Sequence, residues 1–210
     1  MRWNRIFLVV AIGLSVFVPF AVFAEPKIEG IYLTVPGKKF QSDGKTVEVV
    51  EFLSFYCRHC YEFERSIPVI KGNFPKKVRW KVVPIYWGKG SSKPGEAYLL
   101  AEEAGKGDAM KAALFHANFI QRQDIGKVEV LEKLGAEIGL GFDFSARLRS
   151  GEKAKGVQAA LEMSKAYGVQ ETPTLVIGGN LLVSPSLSPG GGDGFKENVM
   201  TILKSLLKQK

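Results

Sequence analysis

The sequence has only two cysteines, Cys57 and Cys60, in a chain of 210 residues. Just two residues separate them, Arg58 and His59. A disulfide that closes so short a loop removes little entropy from the unfolded chain and therefore adds little stability. An exported protein that relies on disulfides for stability normally has more of them. The scarcity of cysteine therefore favours a chemical role for this pair over a structural one.

Histidine is equally scarce, with His59 and His116 as the two examples in the chain. A structural zinc site needs four ligands, and a haem attachment motif needs a histidine directly after the second cysteine, where this chain has Tyr61. We therefore predict no bound metal. A metal carrier that uses Cys57, His59 and Cys60 remains an open alternative. For His116, we expect a packing or surface role rather than a catalytic one.

The chain also lacks a block of basic residues interleaved with aromatic residues, although its net charge is +8. Such a block is typical of nucleic-acid-binding surfaces. The lysines and arginines are scattered, which indicates a solvated basic exterior. We predict no nucleic-acid partner. The sequence contains no internal repeats, so repeat architectures are excluded as well.

One long apolar run is present, at residues 6–23, and no second one follows. Two arginines precede the run, and Ala24 ends a small-residue pattern of the kind that signal peptidase cuts. We therefore predict a signal peptide at residues 1–24, cleaved after Ala24, and a soluble mature protein. An uncleaved membrane anchor is the alternative, but Pro19 and the short run argue against it. Lipid attachment is excluded at this point because no cysteine follows the run.

The apolar pattern around the cysteine pair predicts a βαβ unit. Residues 46–55 form a predicted central strand, and one face carries five side chains: Val47, Val49, Glu51, Leu53 and Phe55. The other face carries Val50 and Phe52, so both faces are largely apolar. A helix should follow, because apolar and other residues recur at helical spacing: Cys60, Phe63, Glu64 and Ile67. Pro68 is expected to kink or end this helix, and residues 78–86 are the next predicted strand.

The rest of the chain divides into a helical block and a second sheet segment. Residues 94–167 are rich in helix-forming residues and predict three to five helices with no strand. Residues 174–177 and 181–183 are predicted strands joined by a turn at 178–180. A loop at 185–194 and an amphipathic helix at 195–207 complete the chain. The pattern thus predicts an α/β fold, with a helical domain inserted into a sheet domain.

A Cys-x-x-C motif at the junction of a strand and a helix is typical of a redox dithiol. Cys57 would lie in the first turn of the helix, where free N–H groups and the helix dipole stabilise an anion. Arg58 and His59 add positive charge or hydrogen-bond donors beside the sulfur. Such surroundings lower a cysteine pKa from about 8.5 to between ~3.5 and ~7.5 in known proteins. Cys60, farther inside the helix, is the predicted resolving thiol.

Two further features support this interpretation. Thr172–Pro173 lies at a strand start, where a trans proline would be ordinary. A cis bond would instead turn the Thr172 backbone toward the dithiol, ready to pair with an extended substrate chain. Glu51 lies on an apolar strand face, where a carboxyl has a raised pKa. It could exchange protons with Cys60, or it could lie at a solvated patch or pair with Lys81.

Residues 51–64, with the sequence EFLSFYCRHCYEFE, closely resemble the active-site segment of the DsbA thiol–disulfide interchange family. The resemblance covers nearly all of the mature chain. It implies a thioredoxin-like domain at 25–93 and 168–210 and an inserted helical domain at 94–167. It also implies a periplasmic monomer that oxidises unfolded exported proteins and is reoxidised by a quinone-linked membrane enzyme of the DsbB or VKOR-like type. A redox-active Cys57–Cys60 disulfide would serve in place of any cofactor.

The resemblance assigns a role to five positions: Cys57 as the nucleophile, Cys60 as the buried thiol, His59 as the thiolate-stabilising residue, Glu51 as the buried acid and Pro173 as the cis-proline. The chain departs from the family in three places. Arg58 stands where the family usually has proline, and Thr172 is commoner in isomerase and reductase branches. Val82 replaces the lysine that accompanies the buried acid, with Lys81 one place away. A disulfide isomerase or reductase of the same fold is therefore the second hypothesis.

Overall fold

The computed structural model describes residues 27–43, 45–88 and 90–208. The predicted signal peptide at 1–24 and its cleavage after Ala24 lie outside these residues. Within the described ranges, none of the helices is both long enough and apolar enough to cross a membrane.

The described chain combines strands and helices, and the predicted α/β, thioredoxin-like fold with added helices is confirmed. The strands are β1 (Leu33–Thr34), β2 (Val47–Leu53), β3 (Val78–Pro84), β4 (Thr174–Ile177) and β5 (Leu181–Val183). The helices are α1 (Arg58–Phe63), α2 (Ser66–Asn73), α3 (Lys93–Glu103), α4 (Gly107–Phe119), α5 (Val128–Glu137), α6 (Phe142–Ser150), α7 (Ala154–Ala166) and α8 (Gly191–Lys208). A 3-10 turn covers Pro185–Leu187.

The five strands form one sheet in the order β1-β5-β4-β2-β3. Strand β2 is parallel to β3 and antiparallel to β4, which places β2 inside the sheet. A parallel pair needs a crossover connection, and α1 and α2 supply it. The predicted βαβ unit is therefore present, and it delivers the Cys57–Cys60 segment to the end of a central strand.

The two faces of β2 pack against different helices, as the alternation in the sequence predicted. Val47 and Val49 belong to a buried cluster with residues of α2 and α8. Val50 and Phe52 point to the opposite face and pack with residues of α7. Because helices cover both faces, an almost continuous apolar strand is buried at this position.

Helices α3 to α7 lie between β3 and β4 and enclose a core of their own, which includes Met110, Leu114 and Leu131. This core is continuous with Leu53 and Phe55 at the end of β2. The five helices agree with the predicted helical block. The division of the chain into separate domains at 94 and 167 stays a prediction.

Three local expectations are wrong. The strand predicted for 46–55 ends at Leu53, because the chain then turns so that Cys57 can cap the next helix. The helix predicted to run through Cys60 and Ile67 is interrupted, since α1 ends at Phe63 and α2 begins at Ser66. Pro68 itself lies in the first turn of α2, where its missing N–H is not needed. The loop predicted for 185–194 contains a 3-10 turn and the start of α8 at Gly191.

Candidate active site

Cys57 is the N-cap residue of α1, with an extended backbone conformation. Its sulfur accepts a hydrogen bond from the Cys60 backbone N–H at 3.4 Å. The Cys57 thiol also donates to the Thr172 carbonyl oxygen at 3.1 Å. Hydrogen bonding from the Cys60 side chain is the largest of the effects that lower the pKa of Cys57 to about 6, against the opposing effect of burial. The Cys57 sulfur is therefore a good thiolate near neutral pH.

Cys60 has the opposite environment. Its side chain is fully buried, and both cysteines are free thiols in the structure. Burial, followed by the neighbouring Cys57 sulfur, raises the pKa of Cys60 well above its ordinary value. One reactive thiolate thus stands beside one protonated thiol, which separates the roles of nucleophile and resolving thiol.

The Thr172–Pro173 peptide bond is cis, and Thr172 and Pro173 are both buried. The segment precedes β4, which pairs with β2 in the centre of the sheet. This topology places the Thr172 carbonyl beside the Cys57 sulfur although 115 positions separate the two residues in the chain. The sequence pattern had left the cis and trans alternatives open, and the cis alternative is the one observed.

Arg58 and His59 lie on the exposed side of α1, with 60% and 78% of their side chains accessible. Arg58 Nε donates to Glu62 Oε1 at 2.9 Å, and His59 Nδ1 lies 3.7 Å from Glu62 Oε2. Both side chains are thus drawn toward Glu62 rather than toward the sulfur. The His59 backbone N–H, by contrast, contributes to lowering the pKa of Cys57. The predicted roles of the two side chains in stabilising the thiolate stay predictions.

Glu51 is completely buried at the centre of β2. Its Oε2 accepts a hydrogen bond from Trp80 Nε1–H at 2.8 Å. Lys111 Nζ lies 3.9 Å from the same oxygen. Burial raises the pKa of Glu51 to about 7, although Lys111 opposes this effect. The alternative of a solvated patch is wrong because Glu51 is buried. The alternative of pairing with Lys81 is wrong because Lys81 is exposed on the other side of its strand.

Lys111 was not among the site residues predicted from sequence, and Glu64 was assigned no role. Lys111 is almost fully buried, and its Nζ lies 3.0 Å from Glu64 Oε2. A signal for Lys111 exists in the sequence, because Leu114 and Phe115 follow it at helical spacing and place a cation in an apolar stripe. Its partners could not be predicted, because they lie on other elements far away in the chain.

A groove of about 670 Å³ runs beside the dithiol. Its walls come from α1, α2, the cis-proline segment and the start of α8, and they include His59, Phe63, Val69, Pro173 and Phe195. The groove has both apolar and charged walls. The groove reaches the redox motif at His59 and the cis-proline segment at Pro173, and neither cysteine is among its lining residues.

No cluster of three or more His, Cys, Asp or Glu side chains is arranged to hold a metal ion in the described part of the chain. His116 is exposed on α4.

Paired thiols of such different acidity, held at the start of a helix that follows a central strand, define the thioredoxin-fold thiol–disulfide oxidoreductases. Comparison with known proteins narrows this class. The profile of the family described as DSBA-like thioredoxin domain matches residues 48–190. The chain belongs to this family, and its activity is of the thiol:disulfide interchange class.

Relatives and solved structures agree with this assignment. The chain is 26% identical over 188 residues to the thiol:disulfide interchange protein DsbA of Azotobacter vinelandii, covering 89% of this chain and 86% of that protein. It is 26% identical to the protein of the same name from Haemophilus influenzae, over 98% of this chain and 100% of the relative. The fold is similar to the crystal structure of the oxidoreductase DsbA from Xylella fastidiosa, with a TM-score of 0.69, 24% identity and coverage of 83% of this chain and 94% of that one.

Proposed function

We propose that the protein donates its Cys57–Cys60 disulfide to reduced, unfolded proteins that have been exported to the periplasm. The observation that carries this proposal is the contrast between the two sulfurs. Cys57 is hydrogen-bonded and has a pKa of about 6, whereas burial keeps Cys60 protonated. A stable Cys57 thiolate favours the reduced form of the pair, so the oxidised form passes its disulfide on readily.

The reaction proceeds in two thiol–disulfide exchanges. A substrate thiolate attacks Cys57 Sγ, the Cys57–Cys60 bond breaks, and Cys60 leaves as a thiolate that takes up a proton. A second substrate thiolate then attacks the substrate sulfur of the mixed disulfide. Cys57 leaves as a thiolate, stabilised by the hydrogen bond from the Cys60 N–H. The substrate has lost two electrons and gained a disulfide, and the enzyme holds both electrons as its dithiol.

Three parts of the site support these steps. Glu51 has a pKa near neutrality and is completely buried on the strand that leads to Cys57, so we assign it the exchange of the Cys60 proton. The Thr172 backbone beside Cys57 is suited to pair with an extended substrate chain. The groove that includes Pro173 would hold the substrate residues that follow.

The remaining assignments follow from family membership. We propose that the protein acts as a monomer in the periplasm after its signal peptide has been removed. A quinone-linked membrane enzyme of the DsbB or VKOR-like type would reoxidise Cys57 and Cys60. The redox-active disulfide replaces any cofactor.

Disulfide transfer to a reduced, unfolded dithiol protein tests the proposal directly. The oxidised protein is mixed with this substrate, and free thiols are counted over time. We expect rapid loss of substrate thiols, a mixed disulfide that accumulates in a Cys60→Ala variant, and no transfer by Cys57→Ser. Transfer by Cys57→Ser at the wild-type rate would refute the mechanism. Trapping of thiols in cells separates the isomerase alternative, which requires a mainly reduced Cys57–Cys60 pair.

A further inference from the structure

Three charged side chains from three separate elements meet at the end of α1, the helix that carries Cys60. Glu51 comes from β2, Glu64 follows the end of α1, and Lys111 comes from α4. Lys111 Nζ lies 3.0 Å from Glu64 Oε2 and 3.9 Å from Glu51 Oε2. Glu51 and Lys111 are almost inaccessible to solvent, whereas 23% of the Glu64 side chain is exposed. One buried cation is thus shared by two carboxyl groups.

The cluster is incompletely satisfied by the groups around it. Glu51 Oε1 and Glu64 Oε1 are buried and have no hydrogen-bond partner among the described residues. Among the described residues, the second oxygen of Glu51 accepts a hydrogen bond from the Trp80 N–H and lies 3.9 Å from Lys111 Nζ. Because a buried carboxylate is costly without compensating partners, the charge of Glu51 depends strongly on where Lys111 Nζ lies.

Lys111 is one of several contacts by which α4 reaches the redox segment. Asn118 Nδ2 donates to the Phe55 carbonyl oxygen at 2.9 Å, just before the cysteine motif. The Phe115 ring packs against Phe55 with a centroid distance of 5.3 Å. Glu64 accepts from Lys111, and as the residue that caps the end of α1 it donates its backbone N–H to the Cys60 carbonyl oxygen. The inserted helices therefore hold both the dithiol segment and the acids beneath it.

Other titratable groups face the cluster from the neighbouring elements. They are Lys71 of α2, Tyr98 of α3 and Asp108 of α4, and the influence of Lys71 and Asp108 on the two acids is weaker than that of Lys111. Lys71 lies over the Trp80 ring at 5.9 Å. Tyr98 donates to Glu102 at 3.4 Å. Lys111 is thus the cation in closest contact with both buried acids.

We propose that Lys111 is the positioning residue that sets the proton affinity of Glu51, so that the inserted helices complete the redox site. The inference deepens the proposed function, because Glu51 is the group assigned to the Cys60 proton. Lys111 acts through Glu51 and does not touch the reacting sulfurs. In this chain the buried cation comes from α4, whereas Val82, the residue paired with Glu51 on β3, is apolar.

The test is a titration of Glu51 in the oxidised protein, in which no thiol titrates. The δ-carbons of glutamate are labelled with ¹³C, and Glu51→Gln identifies the resonance. We expect Lys111→Met to raise the midpoint by at least ~1 pH unit, since an opposite charge at this distance shifts a carboxyl by about 1 to 3 units. Glu64→Gln should lower the midpoint, because it removes a like charge. Lys111→Arg should keep the Glu51 midpoint near the wild-type value, because it keeps the positive charge. Lys155→Met, an exposed control, should leave the midpoint unchanged.

The opposite signs of the two shifts separate a positioning role from a general loss of structure. An unchanged midpoint in folded Lys111→Met overturns the proposal. If Lys111→Met does not fold, the Glu64→Gln variant decides. The proposal is overturned when the Glu51 midpoint in that variant is higher than in the wild type or unchanged. The pH profile of disulfide transfer should shift in the same direction as the Glu51 midpoint. A wild-type protein that transfers no disulfide refutes the proposed function, while the titration still decides the role of Lys111.

Discussion

Acidification should lower the stability of the reduced protein relative to that of the oxidised protein. The reason is the Cys57 thiolate, whose folded-state pKa of about 6 lies below the ordinary value of 9.0. A group with a lowered pKa stabilises the fold when it is ionised, and this stabilisation is lost as the pH falls through the folded-state pKa. The oxidised protein has no thiolate, so the difference between the two forms isolates this effect.

The magnitude follows from the shift. Between about pH 7.5 and about pH 5, a shift of this size corresponds to a loss of about 2 kcal/mol in the free energy of unfolding. Because Cys57 is only half-buried, solvent screening reduces the expected loss to about 1 kcal/mol. Urea denaturation of both forms at several pH values measures it. Parallel stability curves for the two forms, with no divergence across pH 6, would refute the reasoning.

Three further predictions concern other parts of the molecule. Cys60→Ala should raise the pKa of Cys57 by about 1 unit because it removes a hydrogen-bond donor. Cys60→Ser keeps a donor and should leave the pKa of Cys57 close to the wild-type value. The pH dependence of Cys57 alkylation measures the pKa in each variant. The free energy of unfolding of the oxidised wild-type protein should fall by on the order of 3 kcal/mol as the pH rises from about 4.5 to about 8, since Glu51 binds its proton more tightly when folded. A Glu51→Gln variant whose free energy of unfolding changes equally with pH would contradict this. Gly194→Ala should lower the melting temperature, because a Cβ would lie 1.7 Å from the Pro189 carbonyl oxygen. Gly192→Ala has open space and should stabilise α8 by up to about 1 kcal/mol, so equal melting temperatures would show that the clash is absent.

Local pattern was sufficient for the elements in which one signal dominates. The alternation along β2 predicted which side chains share a face and that both faces are covered, and the structure adds that α2 and α8 cover one face and α7 the other. The spacing of Cys57 and Cys60 predicted a redox dithiol at a strand–helix junction. The position of Thr172–Pro173 before a strand left the cis and trans alternatives open, and only the resemblance to the family assigned it the cis bond.

Other features depend on contacts that no local pattern contains. The partner of Glu51 is Lys111, 60 positions later in the chain, and only the docking of α4 brings the two together. The glycines before Phe195 oppose helix formation by about 1 kcal/mol each, yet α8 begins at Gly191 because its apolar face is buried against the sheet. Arg58 and His59 could not be placed from sequence, because Glu62 on the same helix competes with the sulfur for them.

Ultraviolet titration of the reduced protein tests the account most directly, because a thiolate absorbs near ~240 nm and a thiol does not. The Cys57 thiol should ionise with a midpoint near pH 6, and this transition should be absent in Cys57→Ser. The second thiol, that of Cys60, should stay protonated beyond pH 9. Two midpoints near about pH 8.5, the value of a free cysteine, would contradict the claim that this site stabilises the Cys57 thiolate.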